Sequence, residues 1–176
     1  MYPQGMANSS YVLMVNPIEE NAATKVLKVI AQEVLGPGYR VERVVDWEKS
    51  NRALARVWSV YLPGTEVISH QRALQQRKAP DEPYGFMVFL SKDLKQWEFR
   101  HPWNPWEWWA QNRVQQLIAR HFGLTTYRDE GTESPMPVDP DALKTTFKEY
   151  LVFRSGGNLP DVCKHELSTA PEGFRD

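Results

Sequence analysis

The residues best able to do chemistry in this chain gather between Trp97 and Gly123, a stretch that reads WEFRHPWNPWEWWAQNRVQQLIARHFG. Within it Glu98, His101 and Glu107 stand beside five of the seven tryptophans: Trp97, Trp103, Trp106, Trp108 and Trp109. Carboxylates near a histidine are the ordinary material of general acid–base catalysis. A tryptophan wall raises a carboxyl pKa by withholding water from the charged form. A Trp-lined pocket built here would suit a small hydrolase or ligand-binding enzyme, with His101, Glu98 and Glu107 as catalytic candidates. The same stretch is also material for an interface, because Trp and Arg dominate the energetics of protein contacts. Arg100, His101, Trp103, Trp108 and Gln111 form that candidate binding set.

A second grouping, Cys163-Lys164-His165-Glu166, places three ligand types together but has no second cluster to complete a tetrahedral site. The remaining histidines, His70 and His121, fall in no metal-binding helix motif. Gly36-Pro37-Gly38 reads as a turn, and Gly156-Gly157 follows a helix pattern rather than opening one, so no phosphate-cradling loop is present. There is no G-x-S-x-G elbow. The expectation is therefore no metal and no cofactor.

These residues need elements to hold them. Asn104-Pro105-Trp106-Glu107 reads as a helix start, with Asn104 as the cap, Pro105 at the first position and Glu107 at the third. Trp106, Trp109, Ala110, Val114, Leu117 and Ile118 then follow a helical period, and Gly123 stops it. Glu107, Gln111, Asn112, Gln115, Gln116 and Arg120 form the opposite, solvent-facing side. Trp108 falls off the apolar stripe, which leaves it either an exposed anchor for a partner or packed under a loop. Trp103 precedes the cap as a hydrophobic staple.

Elsewhere, Tyr11–Val15 is a compact apolar run read as a buried strand. Asn16-Pro17-Ile18-Glu19 repeats the Asn-Pro start and predicts a helix over 17–35 that ends at Gly36. The likeness of the two starts raises the idea of a duplicated strand–helix–strand unit. Tyr39–Asp46 alternates as a half-wet strand. Ala53–Leu62 reads either as a helix started near Ser50 or, as the preferred alternative, as a strand over Arg56–Leu62 that splits into two faces, Val57/Ser59/Tyr61 and Trp58/Val60/Leu62, and is paired in a hairpin with 66–71. Phe86–Leu90 is a second buried strand, with 96–100 as its partner. Leu124–Tyr127 is a short strand. Asp139-Pro140-Asp141 opens a third, C-terminal helix with Leu143, Phe147, Tyr150 and Leu151 facing inward. The reading is an α+β two-layer sandwich: a mainly antiparallel sheet with two long helices on one face. Residues 1–10 form a loose N-terminus, 11–154 a single domain and 155–176 a tail.

At 176 residues, 41% hydrophobic and 24% charged, the chain is ordinary globular material. A net charge of −1 gives no whole-chain pull toward nucleic acid or an anionic membrane. The aromatics are not interleaved with Lys and Arg as single-strand grooves require. One cysteine excludes an internal disulfide and suits a reducing, cytoplasmic home. The N-terminus lacks a basic leader pattern, and apolar runs such as Phe86–Leu90 are too short to span a bilayer. Met6 is an alternative start. Basic residues prevail over 40–78 and acidic ones over 129–149, an asymmetry suited to protein recognition or self-association.

Together these features favour a non-enzymatic protein-binding module, of the immunity- or inhibitor-like kind that microbes and phages make. It would hold its partner through the aromatic turn at 97–109 and the acidic loop at 129–141. The alternatives are the pocket enzyme around His101 and a homodimer subunit of structural role.

Overall fold

The computed structural model describes residues 9–45, 56–62, 85–100 and 105–143. In chain order these form β1 (Ser9–Leu13), α1 (Glu20–Leu35), β2 (Arg40–Arg43), β3 (Arg56–Tyr61), β4 (Gly85–Leu90), β5 (Gln96–Arg100), α2 (Pro105–His121), β6 (Thr126–Asp129) and β7 (Met136–Pro137), and then one 3-10 turn, Pro140–Ala142. The strands make one seven-stranded sheet in the order β2-β3-β4-β5-β1-β6-β7. Every pairing is antiparallel. The fold is thus α+β, as the periodicities predict.

Strand order explains where the helices lie. Directions alternate across an antiparallel sheet, so β1 and β2, four places apart, point the same way. So do β5 and β6, which flank β1. Each helix is therefore a crossover between parallel-running strands, and such crossovers are right-handed. The α1 crossover leaves β1 toward one edge, whereas the α2 crossover leaves the oppositely running β5 toward the other edge. Equal handedness then places both helices on one face. Two contacts mark that face: Trp58 Nε1 donates to Thr24 Oγ1 of α1 (3.1 Å), and Ser10 Oγ donates to Gln115 Oε1 of α2 (2.8 Å). The crossovers differ in span, since α1 bridges three intervening strands and α2 only β1.

The register aligns Asp129, Ser10, Phe99, Val88, Trp58 and Arg43 in one row beneath the helices. A second row holds Val12, Trp97, Leu90 and Arg56. Trp58 and Trp97 meet at 5.9 Å between ring centres, and Trp97 Nε1 donates to Met14 Sδ. On the other face Val57 and Phe89 are as buried as the helix-covered row, while Ser59, Tyr61 and Met87 are half-buried, so β3 and β4 are covered on both sides where Val57 and Phe89 pair. A continuous apolar run at Phe86–Leu90 suits such a doubly covered strand.

Helix ends carry agreements at three residues and one correction. Gly36 and Gly123 both adopt positive φ just past a helix, as predicted for C′ positions. Pro105 does open α2. The Asn16-Pro17 start does not hold: α1 begins at Glu20, and Glu19 occupies the cap without a side-chain bond. Residues before it are held instead by the β4–β5 turn, where Leu94 O accepts from Ile18 N (3.0 Å). That turn, Ser91–Lys95, is fastened by Ser91 and Asp93 side chains and tolerates φ +60° at Leu94.

The third helix is described only at its start. Asp139 does cap, accepting from Asp141 N and Ala142 N, but the segment it caps is a single 3-10 turn. Continuation through Phe147 and Leu151 lies outside the described residues. So do residues 1–8 of the N-terminal segment expected over 1–10, whose Ser9 and Ser10 belong to β1, the expected 66–71 hairpin partner and the expected 155–176 tail. β3 pairs instead with β2 and β4.

One charged cluster joins the layers. Glu20, in the first turn of α1, accepts from both Arg43 and Arg56, and Arg43 lies over the Trp58 ring at 5.3 Å. The Arg43 hydrogen bond is the largest influence on Glu20 and lowers its pKa from the ordinary 4.5; partial burial opposes this and Arg56 reinforces it. A lowered folded pKa stabilises above the unfolded value and ceases to do so as pH falls through the folded one. Glu20→Gln is therefore expected to flatten the acid limb below pH 4.5 in a thermal-midpoint series. An unchanged slope would show that the cluster is screened out, as its side-chain exposure of 34% allows.

Candidate functional site

Two of the three proposed catalytic residues, Glu98 and Glu107, fall among the described residues. Glu98 lies between Trp97 and Phe99, both in the core beneath α2, so strand alternation puts its carboxylate on the face away from that helix. There it meets Arg100 Nε at 3.2 Å. Glu107 is buried in the first turn of α2. The two carboxylates do not converge. His101 and Trp103 lie outside the described residues, as do Cys163, His165 and Glu166.

The binding set changes as well. Trp108 is 1% exposed, so of its two sequence readings the packed one holds and the exposed anchor is corrected. Gln111 is also buried, its Nε2 donating to Arg100 O (2.6 Å). Arg100 alone of the described set stays exposed, its guanidinium 4.4 Å from the centre of the Phe89 ring. Nor does the expected solvent side of α2 face solvent. Glu107, Gln111, Asn112, Gln115 and Gln116 are all buried, and only Arg120 is exposed. Some of the amide atoms find local partners, since Asn112 Nδ2 donates to Trp108 O and Gln115 Oε1 accepts from Ser10, whereas Gln115 Nε2 and Gln116 Oε1 are buried without one. The signal in the sequence is the residue type. The wet face of α1 carries Lys25 and Lys28, whereas α2 has no lysine and presents uncharged amides.

What the fold does open is a cleft of about 430 Å³ where α1, α2 and the 3-10 turn meet. Trp109 and Leu117 of α2 and Leu143 supply apolar lining. Arg113 and Arg120 add two guanidinium groups from the same helix, while Glu33 of α1 and Asp141 of the turn stand on the other walls with Pro140. Arg113 lies over Trp109 at 5.1 Å. This is an i, i+4 pair, the spacing at which helix side chains touch, and a guanidinium on an indole face is a favourable cation–π contact. Among the described residues neither Arg113 nor Arg120 has an ion-pair or hydrogen-bond partner. The sequence reading missed this site, although it singled out Asp141 within the acidic 129–141 loop and Trp109 as core. The missing signal was the i, i+4, i+11 series Trp109, Arg113, Arg120.

Among the described residues, no helix is long and apolar enough to cross a membrane, and no three His, Cys, Asp or Glu residues gather as a metal site. A family scan, a search of curated proteins and a search of solved structures each return no match to this chain.

Proposed function

We propose that the protein is a binding module that holds a segment of a protein partner in the α1–α2–turn cleft, rather than at the aromatic turn itself. The observation that carries this reading is the Trp109–Arg113 stack, with Arg120 beside it on the cleft wall. Trp and Arg are the side chains that concentrate interface energy. A guanidinium already held on a ring surrenders little freedom when a partner arrives. Asp141 of the acidic 129–141 loop lines the same cleft, on a different wall from the arginines. With one cysteine in the chain, the cytoplasm suits such a module.

The test is selection from a displayed random-peptide library. Peptides enriched on the wild type should lose binding to the double variant Arg113→Glu/Arg120→Glu. They should keep it on Arg128→Glu, whose side chain is exposed on the sheet face away from the helices, since its neighbour Asp129 lies in the row beneath them. Circular dichroism checks that both variants fold. Enriched peptides that ignore the double variant, or an empty selection, would overturn the reading.

A second reading is self-association through the end of β1. Leu13 and Val15 are 44% and 80% exposed there, beside a smaller groove lined by Met14, Ile18 and Phe122. Sizing at several concentrations separates the two: a monomer throughout excludes the dimer.

A further inference from the structure

Resting on the binding reading above, we infer that the cleft takes an acidic–apolar peptide segment, its carboxylates against α2 and an apolar side chain between Leu117 and Leu143. The charge in the cleft is sorted by wall. Both cations come from one helix, seven residues apart, which sets them about 10 Å from each other along the axis. The two anions are scattered, Glu33 on α1 and Asp141 on the turn. Burial decides which sign governs. Glu33, Asp141 and Arg120 are exposed, whereas Arg113 is half-buried. Exposed charges are screened by water and salt, so the half-buried cation acts on an occupant with the greater strength. Arg113 is also the one held in place, by Trp109. A guanidinium offers a planar fork of donors that matches a carboxylate in bidentate fashion. The apolar lining between the two arginines gives a hydrophobic side chain somewhere to go while its acidic neighbours are met.

A basic occupant is the competing case. It would have to leave Arg113 facing like charge in a partly desolvated cleft while gaining only two exposed carboxylates, and like-charge juxtaposition is costly.

The same library selection tests this with distinguishable outcomes. Cleft-dependent peptides should be rich in Asp and Glu flanking Leu, Phe or Trp. Titration calorimetry on a representative peptide should show affinity falling about tenfold on Arg113→Gln, equivalent to about 1.4 kcal/mol. A smaller loss of about threefold is expected on Arg120→Gln, and Glu33→Gln should tighten binding by removing a like charge from the cleft wall. Replacing a peptide Glu by Lys should abolish binding to the wild type and restore it on Arg113→Glu. Cleft-dependent peptides that are neutral or basic would overturn this inference and leave the binding reading standing. Peptides that bind without regard to Arg113 and Arg120 overturn both.

Discussion

Trp108→Ala is expected to lower the unfolding free energy by about 3–5 kcal/mol, the usual range for removing a buried indole. The residue is 1% exposed and belongs to the same core as Trp97, Trp109 and Ile118. Truncation leaves a void between α2 and its neighbours that the surrounding side chains only partly fill. Its backbone adds a second constraint, because Trp108 O accepts from Asn112 Nδ2. Trp108→Phe should recover a large part of the loss, since it restores most of the volume. Urea titration monitored by circular dichroism reads both. An Ala variant as stable as the wild type would mean that the indole packs on nothing, which returns Trp108 to the role of surface anchor. Iodide quenching gives an independent check. Trp58, Trp97, Trp108 and Trp109 are all buried and should be protected.

The second large effect lies at alkaline pH. Tyr127 on β6 is buried, and burial pushes its hydroxyl from the ordinary 10.0 up to about 12, with the nearby Asp129 charge adding to the rise. The folded pKa exceeds the unfolded one, so the stabilisation is complete below pH 10 and is lost as pH climbs toward 12. A two-unit difference corresponds to about 2.7 kcal/mol at full loss. Tyr127→Phe should therefore be less stable than the wild type by little at neutral pH, and should decline less steeply above pH 10. Parallel decline of the two proteins in urea midpoints would show that the hydroxyl reaches water in the native state. Tyr11 is raised as well, by partial burial and by Glu98 and Glu130, so some alkaline slope remains in the variant.

Much of the fold was legible where one rule dominated. The β4–β5 hairpin arises from two apolar segments flanking a Ser-Lys-Asp turn, and Gly36 and Gly123 mark helix ends because positive φ favours glycine. Misreadings arose where two rules competed. Asn16-Pro17 has the composition of a helix start, yet tertiary hydrogen bonding from Ile18 to Leu94 holds those residues off the helix. On α2 the amphipathic template sorted residues by polarity alone and so exposed Gln111, Gln115 and Asn112. The structure buries them because each finds a nearby partner. Among the catalytic candidates, Glu98 and Glu107 are close in sequence, but strand alternation turns the first away from the helix that carries the second. The cleft escaped notice because its walls come from three segments, Glu33, Trp109–Arg120 and Pro140–Leu143, whose meeting depends on strand order. Strand order in turn depends on pairings that no local pattern encodes.

The place of β1 has a consequence for how the chain is made. It leaves the ribosome well before its partners β5 and β6, which it meets through pairs such as Ser9 with Arg100 and Ser10 with Asp129. Until residues near 100 emerge, the Ser9–Leu13 segment has neither neighbour. With translation at about 5–20 residues per second, that interval lasts for seconds. Pairings this distant also slow folding, because a long loop must close before any contact rewards it. The sheet thus closes around its first strand last, and a nascent chain halted before β6 carries β1 with one edge open to whatever strand comes near.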